Sequence, residues 1–253
     1  MEQLEGRQSV LAALAARQRR FQVILVRHDA HTEKVQDVID QATQMNVPVR
    51  RVDSRELDSL AHGASHGGVL AICSEKPRTS PADLIELLDR LSQSDPPLLL
   101  LLEGVDDARN LGFTLRTADA IGVHAVLIKK HLWDFDATEV ARPSSGAYER
   151  LPLVQIDDVE PLRQLQRRGL KLIGCVAGAR RTMYDADLSQ PAILAIGGEK
   201  RGLSGAVRAI CDLFVTIPTR GGASLSMSHA ASILLAEAMR QRRRLGAEKS
   251  DAD

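Results

Sequence analysis

Three segments in the second half of the chain carry more glycine and more polar side chains than packing requires. They are EGVDDARNLGFTLRTADAIGV at 103–123, AIGGEKRGLS at 195–204 and IPTRGGASLSMSHAASILLAEAM at 217–239. Gly197 and Gly198 let the backbone of the second segment turn tightly or approach a ligand. The third leads a glycine-rich loop into a helix, whose free N-terminal amides can bind a phosphate. The glycines and free amides predict a ligand site. The loop lacks the Lys-Ser/Thr ending of a P-loop, so the pattern does not identify the ligand.

Each segment also has a plainer interpretation. Asn110 can cap the helix that follows it, with Arg116 on the surface of that helix. Ser204 can cap a second helix after a simple strand-to-helix turn. The polar residues by themselves leave both interpretations open.

The three segments all follow predicted strands. From Pro81 onward, helical patterns alternate with apolar extended runs at 96–103, 123–128, 170–176, 192–198 and 213–218. This alternation is typical of a parallel sheet with crossover helices, whose carboxyl edge holds the ligand sites of open α/β folds. We therefore predict an α/β domain over residues 96–245.

The first part of the chain has a different pattern. A helical face around Val10 precedes the β-branched run FQVILV at 21–26, and HGASHGGVLAIC at 62–73 ends as a buried strand. The polar, proline-containing segment SEKPRTSP at 74–81 separates this region from the rest. We predict a small α/β domain over 1–75, a linker with a first helix over 76–95, and a disordered tail over 246–253.

Composition narrows the possible functions. Lys plus Arg equals Asp plus Glu at 33 each, so a surface that binds a polyanion must be local. The 3% of aromatic residues argues against a base-stacking platform. No apolar run reaches the roughly 20 residues of a membrane helix and no signal-peptide core is visible, so we expect a cytoplasmic protein. Cys73, Cys175 and Cys211 lack the spacing of a zinc site or a disulfide framework, and we expect all three to be small buried residues.

Taken together, the three polar segments closely resemble the motifs of SpoU (TrmH) family RNA 2′-O-ribose methyltransferases, which belong to the SPOUT superfamily. The family's asparagine, glycine two residues on and arginine six residues on appear in NLGFTLRTAD. Its Gly-x-Glu-x-x-Gly motif appears as GGEKRGLS, and its Ile-Pro and Ser-Leu helix start as IPTRGGASLSMS. SSGAYERLPL at 144–153 resembles the family's Ser-Ala-Gly-Ala segment. GRQSVLAAL and SHGGVLAI resemble the first helix and last strand of the ribosomal-protein-like, RNA substrate-binding domain that many members carry.

The resemblance implies a trefoil knot in the C-terminal half, an exception to the rule that chains do not thread their own loops. It also implies S-adenosyl-L-methionine as the methyl donor, bound mostly through the backbone at Gly197, Ile217 and Leu225, with Ala177 as a further candidate. A two-fold homodimer follows, because the family active site forms at a dimer interface. Since a ribose 2′-hydroxyl exists only in RNA, the resemblance implies an RNA substrate, with ribosomal RNA favoured over transfer RNA.

The same resemblance places Asn110, Arg116, Glu199, Ser224 and Ser226 in the catalytic site. Because a guanidinium stays protonated, we expect Arg116 to bind a phosphate and stabilise the alkoxide, with a phosphate relay taking the proton. Asn110 and Glu199 would orient Arg116 or the ribose, and Ser224 would shape the pocket. The family usually has asparagine where this chain has Ser226, and a serine has a shorter reach.

Several other hypotheses stay open. Ser226 leaves room for a non-catalytic RNA-binding member, and the family also contains transfer RNA enzymes. A hydrolase dyad of Ser228 and His229 is disfavoured, because adjacent helix residues point about 100° apart. His66 is a candidate catalytic histidine, although packing or RNA contact is the preferred interpretation. The arginine-rich run at 240–244 is either an RNA contact or a solvated helix end.

Overall fold

A computed structural model describes residues 1–28, 32–62, 66–91, 95–222 and 224–250. The chain divides into two compact units. Unit 1 comprises Met1–Arg78 and Phe135–Arg150, and unit 2 comprises Thr79–Asp134 and Leu151–Asp253. Over the described ranges, every helix is too short or too polar to cross a bilayer.

The secondary structure alternates along most of the chain. The strands are β1 (Glu2–Glu5), β2 (Phe21–Arg27), β3 (Val49–Val52), β4 (Val69–Cys73), β5 (Leu98–Glu103), β6 (Ala125–Lys129), β7 (Leu153–Ile156), β8 (Lys171–Cys175), β9 (Arg181–Thr182), β10 (Ala192–Gly197) and β11 (Leu213–Thr216). The helices are α1 (Arg7–Ala16), α2 (Thr32–Gln44), α3 (Ser54–Leu60), α4 (Pro81–Asp89), α5 (Ala108–Ile121), α6 (Ala137–Ser144), α7 (Ala147–Arg150), α8 (Glu160–Arg167), α9 (Gly205–Arg208) and α10 (Met227–Ser250).

Unit 1 is a four-stranded sheet in the order β1-β4-β2-β3, packed with helices. Its strands β2 and β3 are parallel, and β4 pairs antiparallel with both β1 and β2. Val10 and Leu14 on one face of α1 are fully buried, as the helical pattern predicts.

Helices α6 and α7 complete unit 1, although they come from the middle of the chain. Gly146, between them, adopts φ +89°, and a Cβ there would lie 2.7 Å from the Cβ of Ala12 in α1. Close packing against α1 therefore requires glycine. The Ser-Ala-Gly-Ala-like segment begins at Ser144 and supplies this contact. Residues 135–150, which the sequence pattern predicts inside the α/β domain of 96–245, are grouped by their contacts with unit 1.

Charged side chains are buried in unit 1. The guanidinium of Arg19 donates to both carboxylate oxygens of Glu149 at 2.8 Å, and both side chains are almost inaccessible to solvent. The ammonium of Lys76 donates to the Glu149 carbonyl oxygen at 3.2 Å. Burial lowers the pKa of Lys76 to about 8, and burial raises the pKa of the nearby Tyr148 phenol above its usual range. These contacts join the start of the chain to α7.

Unit 2 is a seven-stranded parallel sheet in the order β7-β6-β5-β10-β8-β11-β9. Every residue of β5 is buried, as expected of a strand with covered faces. Its Leu99 and Leu101 pack in one core with Leu127 of β6 and Ile193 of β10. The predicted α/β class is confirmed, and the apolar runs correspond to β5, β6, β8, β10 and β11. The trefoil knot stays a prediction.

Two expectations about single regions need correction. Cys73 is buried, but Cys175 and Cys211 are only half-buried, so not all three cysteines are core residues. Helix α10 continues to Ser250, which lies inside the segment predicted to be disordered. Residues 251–253 of that segment lie outside the described residues.

Candidate active site

A cavity of about 440 Å³ lies at the carboxyl edge of the unit 2 sheet. The segments that follow β8, β10 and β11 enclose it together with the first turn of α10. Its lining includes all four positions predicted to contact the cofactor, and two of the predicted catalytic residues: Ala177, Gly197, Ile217, Leu225, Glu199 and Ser224. A volume of this size is typical of a pocket for a small organic ligand.

The two glycines after β10 are dictated by contacts between backbone segments. A Cβ at Gly198 would collide with the carbonyl oxygen of Gly104, and one at Gly197 with the backbone of Gly202 and Leu203. The loop is closed by a hydrogen bond from the Gly202 amide to the Gly198 carbonyl oxygen at 2.8 Å. The tight turn, one of the alternatives drawn from sequence, explains Gly197, whereas Gly198 is required by the close approach of the Gly104 backbone.

A polar cluster that sequence reasoning missed holds the end of this loop. The ammonium of Lys129 donates to Glu103 Oε1 at 2.6 Å and to Ser204 Oγ at 3.0 Å, while the Ser204 amide donates to Glu103 Oε2 at 2.7 Å. Burial acts to raise the pKa of Glu103, but the hydrogen bonds from Lys129 and Ser204 outweigh it and hold that pKa below its usual value. The signal in the sequence was a lone acid ending the apolar strand β5. Ser204 also caps α9, as predicted.

Asn110 lies on the first turn of α5 but is not its cap. The cap is Asp107, whose carboxylate accepts the Asn110 amide at 2.7 Å, so the predicted capping role of Asn110 is wrong. The Asn110 side chain instead accepts a hydrogen bond from Ser228 Oγ at 3.1 Å. It thereby meets the first turn of α10, which also lines the cavity.

Glu199 reaches the same turn from the loop after β10. Its carboxylate accepts the Met227 amide at 3.4 Å, which satisfies one of the free amides at the start of α10. A carboxylate at this end of a helix is also favoured by the helix dipole. Asn110 and Glu199 are thus brought together by α10.

Ser226 occupies the N-terminal cap of α10. Its carbonyl oxygen accepts the Ala230 amide at 2.9 Å, and its Oγ accepts the His229 amide at 3.4 Å. The same Oγ lies 2.6 Å from His229 Nδ1 and 3.0 Å from Ser228 Oγ. Ser228 and His229 do not pair, as argued from their adjacency, but His229 has a hydroxyl partner three residues earlier. The Ser-x-x-His spacing on a helix was the signal for this contact.

Comparison with known proteins decides the family. The model of the SpoU rRNA Methylase family matches residues 97–236, and the model described as RNA 2′-O ribose methyltransferase substrate binding matches residues 3–79. This chain belongs to the SpoU rRNA methylase family. The predicted family, the enzyme class and S-adenosylmethionine as cofactor are confirmed.

Relatives of this SpoU protein differ in how much of it they cover. The 23S rRNA (guanosine-2′-O-)-methyltransferase RlmB of Pseudomonas aeruginosa is 37% identical, over 95% of this chain and 97% of its own. The SpoU methyltransferase AviRb of Streptomyces viridochromogenes, solved with AdoMet, has a TM-score of 0.77 at 25% identity and covers 95% of this chain and 90% of its own. The A. aeolicus TrmH/SpoU tRNA modifying enzyme has a TM-score of 0.55 at 26% identity and covers 65% of this chain and 85% of its own.

The motif arginine of this SpoU chain is separated from the other predicted site residues. Arg116 is exposed on α5, and its six-residue spacing from Asn110 places it about 240° around the helix. Over the described residues, it forms no hydrogen bond to Asn110 or Glu199. It shares a face with Phe113, which is 50% exposed although strongly apolar. The expected orientation of Arg116 by Asn110 and Glu199 is therefore not formed within one chain.

The candidate catalytic histidine His66 has a structural role. His66 is 2% exposed, its Nε2 lies 2.8 Å from Asp58, and its Nδ1 accepts the Gly68 amide at 3.1 Å, which favours the packing interpretation.

The sequence of the arginine-rich run at 240–244 indicates either an RNA contact or a solvated helix end. Arg242 fits neither interpretation. That guanidinium donates to the carbonyl oxygens of Leu188 at 3.1 Å, Gln190 at 2.7 Å and Pro97 at 3.2 Å. It therefore fixes α10 to neighbouring turns of unit 2 rather than being solvated or free for RNA. Arg240 pairs with Glu237 at 2.7 Å.

Proposed function

We propose that this SpoU protein transfers the methyl group of S-adenosylmethionine to the 2′-hydroxyl of a guanosine in 23S ribosomal RNA. The observation that carries the proposal is the cavity at the sheet edge, lined by the matched family motifs and adjoining the Asn110 and Glu199 contacts to α10. The RlmB relative, which bears this activity in its name, aligns with nearly the whole chain.

Coverage favours ribosomal RNA over transfer RNA. The RlmB alignment spans 95% of the chain, and so most of residues 3–79, which match the substrate-binding model. The A. aeolicus tRNA modifying enzyme covers only 65% of the chain. A domain that binds the substrate is the part of an RNA enzyme that selects among RNAs, so its presence supports the ribosomal substrate of RlmB.

The residues around the cavity suit S-adenosylmethionine. Ile196, Ile217 and Leu225 offer apolar surface for an adenine ring, and the glycine-rich segments offer backbone amides and carbonyls. Glu199 and Arg208 bring opposite charges to the same lining, where the methionine part of the donor carries an ammonium and a carboxylate. When bound, the cofactor supplies a methyl group activated by a sulfonium. Ala177 completes the proposed cofactor contacts.

The protein's own contribution is to position the ribose and exclude water. A ribose hydroxyl is a weak nucleophile, and holding it in line with the methyl group can supply much of the rate enhancement. The first turn of α10, fixed by Asn110 and Glu199, forms one wall for this purpose, with Ser224 and Ser226 at its edge. Arg116 would bind an RNA phosphate and stabilise the developing alkoxide, since its guanidinium keeps its charge.

A two-fold homodimer is part of the same proposal. Phe113 on α5 and Ile233 on α10 are exposed apolar side chains, and α5 and α10 pack against each other. Covering this face with a second copy would bury both side chains and bring Arg116 to the interface. The trefoil knot and a cytoplasmic location also belong to the proposal, and the position of β8 between β10 and β11 in the sheet supports a threaded chain.

The test is methyl transfer from labelled S-adenosylmethionine to purified 23S rRNA, 16S rRNA and bulk tRNA. Alkali-resistant dinucleotides then identify the methylated ribose. We expect label in 23S rRNA alone, at one guanosine. Label confined to tRNA would replace the proposed substrate, and cofactor binding without transfer to any RNA would support a non-catalytic member of the family.

A further inference from the structure

Among the described residues that line the cavity, Glu199 and Arg208 carry the charges. The Glu199 carboxylate accepts the Met227 amide at 3.4 Å, so it is already tied to the start of α10. Arg208, the last residue of α9, is exposed, and over the described residues it forms no ion pair and donates no hydrogen bond. The cavity is therefore lined by one permanent positive charge whose N–H donors have no acceptor in the described part of the chain.

The guanidinium of Arg208 is held against an aromatic ring. Its central carbon lies 5.1 Å from the centroid of the Phe214 ring, within the range of a cation–π contact. Phe214 belongs to β11 and points to the same face of that strand as Thr216, two residues on, which lines the cavity. The contact uses the charge of the guanidinium and leaves its N–H groups available for oxygen acceptors.

Phe214 is itself packed on β8 at Gly174. The two residues are neighbours in the parallel register of β8 and β11, and a Cβ at Gly174 would lie 2.9 Å from the ring of Phe214. Glycine at this position lets the ring lie directly against the strand, where a larger residue would displace it. The position of the Arg208 guanidinium is thus set by packing that begins in the sheet.

We propose that Arg208 binds the carboxylate of the methionine part of S-adenosylmethionine, and that Phe214 is a positioning residue that holds the guanidinium for this contact. The inference rests on the proposed function and assigns one end of the cofactor. The carboxylate is the only anionic group of S-adenosylmethionine, whereas its sulfonium and ammonium are cationic and are repelled by an arginine. A guanidinium also matches a carboxylate in shape, since two of its N–H groups can donate to both oxygens.

The contact makes Arg208 a binding residue and not a catalytic one. The carboxylate takes no part in methyl transfer and is unchanged in the product S-adenosylhomocysteine, so Arg208 stabilises the ground state and the transition state equally. Its loss should raise the KM for S-adenosylmethionine and leave kcat close to that of wild type.

Titration calorimetry with two ligands isolates this contact in the full-length protein. Decarboxylated S-adenosylmethionine keeps the adenosine, the sulfonium and the amine, and lacks the carboxylate alone. We expect wild type to bind S-adenosylmethionine at least about tenfold more tightly than the decarboxylated ligand, the usual effect of a hydrogen bond to a charged group. In Arg208→Gln the ratio of the two affinities should fall close to one. The matched control is Arg163→Gln, at an exposed arginine on α8 outside the cavity lining, which should keep the wild-type ratio.

Phe214→Leu tests the positioning role. Leucine keeps an apolar side chain on Gly174 but loses the ring, so the ratio of the two affinities should fall severalfold. A general loss of packing would weaken both ligands alike and leave the ratio unchanged, which would overturn the role of Phe214.

An Arg208→Gln protein with the wild-type ratio overturns the inference, whether it binds both ligands normally or loses both alike. If this variant keeps the ratio but loses affinity for 23S rRNA, Arg208 binds an RNA phosphate and the inference is again overturned. In either case, a wild type that methylates 23S rRNA leaves the proposed function intact. A wild type that binds neither ligand overturns both.

Discussion

Glu103 and Ser204 lie 101 residues apart in the chain, yet the Ser204 amide donates a 2.7 Å hydrogen bond to the Glu103 carboxylate. The second carboxylate oxygen accepts the Lys129 ammonium. Ser204 ends the loop that lines the cavity. The carboxylate of Glu103, at the end of β5, therefore holds the end of that loop in place.

Glu103→Gln should therefore weaken both folding and cofactor binding. An amide cannot accept at both positions and leaves Lys129 without its counter-charge, at a cost of about 2 kcal/mol in the free energy of unfolding. We expect the affinity for S-adenosylmethionine, measured by calorimetry, to fall severalfold. Glu86→Gln, at an exposed glutamate paired with Arg90, is the control. Unchanged affinity with a lowered melting temperature would mean that Glu103 serves folding alone.

Gly198→Ala should disrupt the cavity more severely. The added Cβ would collide with the backbone oxygen of Gly104, which cannot rotate away as a flexible side chain could. We expect a clear loss of thermal stability and of cofactor binding. Gly205→Ala is the matched control, because a Cβ there has open space within 4 Å and alanine favours the first turn of α9. Equal behaviour of the two variants would contradict the steric argument.

Arg116→Ala should separate catalysis from cofactor binding. The guanidinium is exposed and does not line the cavity, so cofactor affinity should stay close to that of wild type. Methyl transfer should fall at least about 100-fold, because the variant lacks the charge that we propose stabilises the alkoxide. Arg163→Ala on α8, also exposed, is the control. A fully active Arg116→Ala enzyme would remove this arginine from the mechanism.

Lys76→Met should change how stability depends on pH. Burial lowers the pKa of Lys76 to about 8, whereas the usual value is 10.5. Between pH 8 and pH 10.5 the unfolded chain binds a proton at Lys76 that the folded chain does not. The free energy of unfolding therefore carries no penalty from Lys76 above pH 10.5. The penalty grows as the pH falls from 10.5 and is complete below pH 8. The variant should thus exceed wild type in unfolding free energy at pH 7, by up to about 3 kcal/mol, and lose this advantage near pH 10.

Denaturant unfolding at both pH values measures this difference. Lys171→Met, at an exposed lysine, should show no comparable change with pH. A Lys76→Met protein that is less stable than wild type at pH 7 would mean that the hydrogen bond to the Glu149 carbonyl outweighs the cost of burial.

Glu149→Gln should destabilise unit 1 strongly. The substitution leaves the Arg19 guanidinium buried without its bidentate partner, and breaking such a pair typically costs about 3–5 kcal/mol. Hydrogen exchange of the α1 and α7 amides would report the loss locally. Glu160→Gln, at a half-exposed ion pair in unit 2, should leave those amides protected as in wild type.

The sequence predicted five of the seven strands of the parallel sheet because those five are mostly apolar, whereas the short strands β7 and β9 lie outside the predicted runs. The five runs from 96–103 to 213–218 each coincide with one strand to within a residue or two, and the motif segments follow three of these strands. The four proposed cofactor positions line one cavity because the carboxyl ends of parallel strands meet at one edge.

What the sequence left open depends on contacts between distant residues. The Arg19–Glu149 pair spans 130 positions, so no local pattern marks α7 as part of unit 1. The choice of Asp107 over Asn110 as cap depends on where α5 begins, which a polar-rich segment leaves undetermined. The link between Ser226 and His229 follows helical spacing, in which neighbours on one face are three or four positions apart, and not adjacency in the sequence.

The assembly of unit 1 from two stretches has a consequence for how the protein is made. Domains usually begin to fold as they leave the ribosome, from the N-terminus onward. Here the sheet of β1 to β4 is complete at Cys73, but Arg19 finds Glu149 only after α7 has been synthesised. Within the N-terminal stretch Arg19 already has the Glu2 carboxylate and the Ser74 carbonyl oxygen as partners. The nascent sheet must nevertheless wait for the bidentate partner of Arg19 until β5 and β6 of the second unit have already emerged.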